Sequence, residues 1–219
     1  MTAAENKTLN LIARIATPST TAVLTIELQK GIVGKEALLP ALSNAVAEAG
    51  VLTAAGRVCA AAREAGARVV HCTVEERSDG AGFAENCRIF ALSAKRRRER
   101  ESGDLDIGSV GAQLVDELNV QLSDIVVPRL SGMTAFTPSA LDQVLRNMGI
   151  TTVVLVGVSV NLGIFGGAMT ALDLGYQVIV VRDAVAGVPK EYAQMVLENS
   201  IANIATVIDS EQLLSVWAS

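Results

Sequence analysis

Aromatic residues make up only 3% of this 219-residue chain, histidine occurs once, and cysteine occurs three times. Each scarcity closes off a class of function. With so few rings, the stacking platforms that hold single-stranded nucleic acid are missing. The single histidine, His71, removes multi-histidine metal sites and the H-E-x-x-H zincins, so no metal centre is expected. Cys59, Cys72 and Cys87 are odd in number and lack C-x-x-C spacing. Neither a disulfide framework nor a zinc knuckle is therefore expected, and the chain reads as a reduced, cytoplasmic protein. Positive charge is also short, with 18 Lys and Arg against 23 Asp and Glu for a net charge of -5. A nucleic-acid partner wants the opposite balance. Residues 1–16 carry Glu5, Lys7 and Arg14 around a broken apolar stretch without a small-residue cleavage signature, so no export signal is expected.

What is abundant is aliphatic. Hydrophobic residues reach 50% and charged residues 19%, which predicts one globular domain over 1–219 with a core of Ala, Val, Leu and Ile. Residues 150–172 contain no charge and are long enough to be considered as a membrane span. The stretch divides, however, into a β-branched run over 151–156, a break at Gly157, and a part from Asn161 that holds Asn, Thr and several glycines. A strand, a turn and a helix are expected there, and no membrane contact.

Apolar β-branched runs recur at 22–26, 68–73, 124–127, 152–156, 177–181 and 204–208. Such near-continuous apolar runs suit parallel strands buried on both faces. Helices are expected between them at 43–65, 109–118, 139–148, 162–174 and 190–202, with Gly66, Gly149 and Gly175 as helix ends and Thr137-Pro138-Ser139 as a helix start. The alternation predicts a doubly wound, three-layer α/β/α sandwich on a mostly parallel six-stranded sheet. The stretch 75–108 fits neither period and is a candidate lid or oligomer arm. Its charge run, Lys95-Arg-Arg-Arg-Glu-Arg-Glu101, interleaves acids with bases and reads as a solvated face.

In an open parallel sheet, ligands bind at the carboxyl ends of the strands. The polar residues at those exits are Glu27 and Gln29, then His71 to Arg77 including Glu75, then Arg129, then Ser159 and Asn161, then Arg182 and Asp183. Neither G-x-G-x-x-G nor G-x-x-x-x-G-K-[ST] occurs, and Glu27-Leu-Gln-Lys-Gly31 puts a carboxylate where a nucleotide fold carries glycines. No cofactor is expected.

Four elements in order carry a resemblance: Leu24-Thr-Ile-Glu27-Leu-Gln29; Arg129 before Gly132-Met-Thr-Ala-Phe136-Thr137 and Leu141-Asp142; Gly157-Val-Ser-Val-Asn-Leu-Gly163; and Gly175-Tyr-Gln-Val-Ile-Val-Val-Arg-Asp183-Ala184. Together they resemble the isochorismatase-like hydrolases, a superfamily that includes cysteine hydrolases such as nicotinamidases and N-carbamoylsarcosine amidohydrolases. The resemblance spans nearly the whole chain. It implies an Asp–Lys–Cys trio, and here the Asp position holds Glu27, the Lys position Arg129 and the Cys position Gly163. Leu130 competes with Arg129 if spacing to Phe136 is counted strictly.

Each exchange has a chemical consequence. Glycine offers no nucleophile, so a thioester route is closed at Gly163. True isochorismatases resemble this chain in having glycine there, which implies cleavage with an acid as proton donor and water as nucleophile. Their turn reads Y-A-H-[IV]-G, whereas this one reads Ser159-Val-Asn161-Leu-Gly163, so a differently shaped pocket is expected. A guanidinium stays charged, which makes Arg129 a clamp on a substrate carboxylate or an oxyanion rather than a proton carrier. Gln29, His71, Glu75, Arg77, Ser159, Asn161 and Gly163 are the expected substrate-binding residues, with a core role for His71 and helix capping by Asn161 as the alternatives.

These readings make the chain a hydrolase of a small anionic metabolite, acting on a C–O or C–N bond through Glu27 and Arg129. A binding or regulatory protein on the same fold is the alternative, since fold does not settle function. A cysteine route through Cys72 is a third. The resemblance and the large uncharged segment imply a homodimer or homotetramer.

Overall fold

Six apolar runs become six strands: β1 (Thr21–Ile26), β2 (Arg68–Val74), β3 (Ile125–Arg129), β4 (Thr152–Val158), β5 (Gln177–Ala186) and β6 (Thr206–Ile208). The computed structural model describes residues 3–35, 37–99, 105–137 and 139–218. Among these, nine α-helical segments occur: α1 (Ala3–Ile15), α2 (Lys30–Val33), α3 (Pro40–Glu48), α4 (Val51–Ala65), α5 (Arg88–Arg98), α6 (Leu141–Asn147), α7 (Phe165–Asp173), α8 (Lys190–Asn199) and α9 (Ser210–Trp217). The strands form one sheet in the order β3-β2-β1-β4-β5-β6. Every pairing is parallel. The order reverses between β1 and β4, and a doubly wound sheet opens its ligand crevice at that point.

Alternation along the strands divides the core in two. Val23, Val69, Val154, Val156 and Ile179 pack with Ile12 of α1, Val46 of α3, Ala55 and Val58 of α4 and Leu213 of α9. Ala22, Leu24, Ile26, Val70, Cys72, Val153 and Leu155 pack with α6, α7 and α8 through Leu141, Leu145, Ala168, Ala171 and Val196. This is the three-layer α/β/α sandwich, and its core is aliphatic on both sides.

The helices depart from the sequence reading in places with local causes. The helix expected over 43–65 is two, α3 and α4, because Gly50 takes a left-handed φ of 66° and turns the chain by 64°. The helix expected over 109–118 is not formed: Gly31 donates to Gly111 and Lys30 to Gln113, while Val115 donates to Leu28. That segment spends its backbone groups on the chain leaving β1, and only a short 3-10 turn, Asp116–Leu118, follows. The broken stretch at the N-terminus is α1, and the charge run ends α5 with Lys95 and Arg98 exposed, whereas Arg96 and Arg97 turn inward, so the run is solvated only in part. Pro138, Arg100 and Glu101, named in the expected helix start and charge run, lie outside the described residues. The uncharged stretch 150–172 is β4, a turn and α7. Among the described residues no single helix is long and apolar enough to cross a membrane, and the pair α3 and α4 that passes by length and composition is bent.

Candidate active site at the strand exits

The chain leaves β1 under constraint. Glu27 holds φ 55°, a left-handed conformation uncommon outside glycine, and its N–H donates to the Cys72 carbonyl at 3.0 Å. Two residues on, wholly buried Gln29 donates through Nε2 to the carbonyls of Val74 and Ala112, both at 2.9 Å, and accepts from the Val74 N–H at 2.8 Å. This amide ties the exits of β1 and β2 to the segment that replaced the expected helix. The strained Glu27 is thus fixed from both sides.

Arg129 ends β3 with its side chain 2% exposed. Its guanidinium donates from Nε to the Gly132 carbonyl at 3.3 Å, from Nη1 to the Thr73 carbonyl at 3.5 Å, and from Nη2 to the Glu27 carboxylate. The Glu27 side chain is 19% exposed, so the carboxylate is the open member of the pair. Leu130, the competing position, is a surface residue.

At the exit of β4 the backbone needs glycine. A Cβ on Gly157, φ 114°, would meet the Ile26 carbonyl oxygen at 2.2 Å, and the register with β5 shifts between Leu155 and Gly157. A side chain there would drive β1 and β4 apart at the crevice. The Val158–Ser159 peptide is cis, and a π-helical turn, Val160–Ile164, leads into α7. Gly163 is buried on that turn, and a Cβ there would meet Val158 O at 3.0 Å and Ile26 Cγ2 at 3.6 Å.

Glu27, Arg129, Ser159 and Gly163 share a cavity of about 180 Å³ with Gly132, Met133 and Leu162. Its other lining residues come from α2, α3 and the chain joining them (Ile32, Leu38, Leu39 and Leu42), from α5 and the chain before it (Phe83, Ile89, Phe90, Leu92, Ser93 and Arg96), and from Val74, Glu76 and Leu105. Residues of the irregular 75–108 stretch therefore build one wall, an assignment that sequence periodicity did not provide. Glu76 is held by Arg97 at 2.8 Å, and the Arg97 guanidinium also lies 5.1 Å from the Phe83 ring centre. Phe83 meets Phe90 edge to face at 5.5 Å. Mostly apolar walls lower the local dielectric and strengthen the field of the charges they enclose.

The remaining expected substrate-binding residues lie elsewhere. Gln29 is consumed by backbone bonds. Glu75 gives its N–H to the Arg129 carbonyl at 2.9 Å and does not line the cavity. Arg77 is exposed and paired with Asp79 at 2.6 Å. Asn161 does not line the cavity either, and its Oδ1 is buried without a hydrogen-bond partner among the described residues. His71 is wholly buried on the α4 side of the sheet, between Thr25 Oγ1 at 2.8 Å and Asp124 Oδ2 at 3.2 Å. Strand-exit position alone does not reveal which face a side chain takes, and these five were assigned on that rule. Cys72 is buried beneath the Glu27–Arg129 pair, and burial pushes its thiol up to about 12, with Arg129 opposing and Glu27 adding. A thiol in that state supplies no thiolate nucleophile.

The isochorismatase domain profile matches residues 21–212. Ureidoacrylate amidohydrolase RutB of Pseudomonas syringae pv. syringae is 31% identical over 198 residues, covering 86% of this chain and 78% of its own. An isochorismatase family protein of Desulfovibrio vulgaris superposes with a TM-score of 0.75 at 25% identity, covering 91% of this chain and 99% of its own. A cysteine hydrolase of Pseudomonas syringae pv. phaseolicola also gives a TM-score of 0.75, at 19% identity over 92% and 93% of the two chains, and shows the shared fold. With the doubly wound sheet and the strand-exit cavity, these matches establish that the chain belongs to the isochorismatase family of hydrolases.

Proposed function

We propose that this chain hydrolyses a C–N bond in a small anionic metabolite, with Glu27 as the acid–base group and water as the nucleophile. The observation that carries the reading is the Glu27 carboxylate at the cavity floor, locked by a buried Arg129, beside a turn where Gly163 leaves no nucleophile. In the ion pair Glu27 is a proton acceptor. It takes a proton from water as the oxygen attacks the carbonyl carbon, and returns it to the nitrogen as the C–N bond breaks. Ser159, Leu162 and Gly163 bring the start of the helical run from Val160 through α7 to the cavity, where its positive end favours a developing oxyanion. Arg129 acts through Glu27: three of its five N–H groups are spent on the Gly132 and Thr73 carbonyls and on the Glu27 carboxylate, which fixes the guanidinium against that group. The name of the amidohydrolase relative supports the C–N bond ahead of C–O.

A second reading, ligand binding without turnover, draws on Gly163 standing where the cysteine hydrolases resembled by this chain carry their thiol. Product release from a panel of ureido acids, amides, esters and enol ethers separates the two. The proposal expects turnover of at least one ureido acid or amide, retained when the Cys87→Ser protein is treated with iodoacetamide. No turnover across the panel overturns the hydrolase reading, and inactivation by the reagent overturns the cysteine-free route.

A further inference from the structure

Among the described residues, four charged side chains line the cavity: Glu27, Glu76, Arg96 and Arg129. Arg129 neutralises Glu27, and Arg97 neutralises Glu76 from behind the wall. Arg96 is left over. In the last turn of α5, Lys95 pairs with Glu99, Arg97 with Glu76 and Arg98 with Glu85. Arg96 is the member of that run without a carboxylate partner among the described residues. Its Nη1 donates to the carbonyl of Leu38, another residue of the cavity lining, which holds the guanidinium at the cavity. The rest of its donor fork takes no partner among the described residues.

We infer that Arg96 is the specificity residue for the substrate's anionic end, and that the ligand is a small organic monocarboxylate. The inference rests on the hydrolase reading only in calling the ligand a substrate. A half-buried guanidinium in a mostly apolar cavity is costly without a counter-ion, and a bound carboxylate supplies one. The planar fork matches a carboxylate in two parallel bonds. Among the described residues, one positive charge is left uncompensated in a cavity of about 180 Å³, which matches one negative charge on a small body. With the anion at Arg96 on the α5 wall, the reactive carbonyl lies at the Glu27 floor, so the two ends of the ligand are read by different walls. This assigns to Arg96 the recognition that the sequence had placed on Arg129.

Binding measurements test this without requiring turnover. N-carbamoylglycine, 3-ureidopropionate and benzoate are each titrated by calorimetry against their neutral carboxamides, using wild type, Arg96→Met and Arg96→Lys. At least one carboxylate is expected to bind wild type about tenfold or more tightly than its amide, as a charge-assisted hydrogen bond supplies. The preference disappears in Arg96→Met and survives in part in Arg96→Lys. A wild type without carboxylate preference for any of the three, or an Arg96→Met protein that keeps it, overturns the inference. Carboxylate preference lost in Arg96→Met, in a protein that turns nothing over, upholds the inference while the hydrolase reading fails.

Discussion

Two arginine–carboxylate clusters flank the first strands, built from similar groups and placed in different surroundings. At the exits of β1 and β3, Arg129 holds Glu27, and the carboxylate opens into a cavity. On the α4 side, Arg63 holds Asp124 through Nε at 3.0 Å and Nη2 at 2.8 Å, and Asp124 also accepts from Gln121 N–H at 2.8 Å and meets His71. With Nε2–H of His71 donating to Asp124, Nδ1 accepts the Thr25 hydroxyl, and the chain of bonds is closed. The first cluster leaves a carboxylate facing space for a ligand. The second leaves nothing to face. Residue types do not separate a site from a brace here; access and spare hydrogen-bonding capacity do.

Substitutions at the two clusters should therefore act on different observables. Arg129→Met strips Glu27 of its buried partner, and a loss of about 3 kcal/mol in unfolding free energy is expected together with loss of turnover. Urea denaturation and product release on the same preparation check both. Asp124→Asn should lower stability by about 2 kcal/mol through weakened bonds to Arg63 and His71, while kcat/KM stays within about twofold of wild type. A fall in turnover matching that of Arg129→Met would erase the distinction drawn between the clusters.

Acidity sharpens the comparison further. Burial pushes the pKa of His71 below its ordinary value, partly opposed by its bond to Asp124. The native state then binds fewer protons than the unfolded chain, so the contribution of this group is present above about pH 6.5 and is lost as pH falls below it, by at most about 1.4 kcal/mol per pH unit. Burial works against ionised Asp124, but the bonds from Arg63, Gln121 and His71 win and hold its carboxyl below the ordinary range. Its contribution is present above about pH 4 and is lost only below it. Urea midpoints between pH 7.5 and 5 should slope downward in wild type and flatten in His71→Gln. At the smallest end, Arg77→Ala removes an exposed pair with Asp79 and should leave both the unfolding midpoint and turnover unchanged.

Much of the fold was legible because β-branched runs and glycine breaks are local signals. All six runs are strands, and the sheet, expected to be mostly parallel, is parallel throughout. The segment 109–118 was misread as a helix because its backbone partners lie some 80 positions earlier, at 28–31, where no local pattern points. Of the site residues named from the sequence, the structure brings Glu27, Arg129, Ser159 and Gly163 to one cavity, because they end strands or begin the turn after one. Gln29 and His71 obey the same positional rule, yet their side chains are spent inside the protein. Arg96 and Phe83 come from an aperiodic stretch and reach the cavity through tertiary packing alone. Only the partner accounting along α5 separates Arg96 from its neighbours in the charge run.

The account stands most directly on Glu27, and turnover of the Glu27→Gln protein measures it. The side chain keeps its length and can still accept from Arg129, so the fold should hold while the proton carrier is gone. A fall in kcat/KM of about a hundredfold or more is expected, with the unfolding transition retained. Turnover within a few-fold of wild type would contradict the account and place the chemistry on another group.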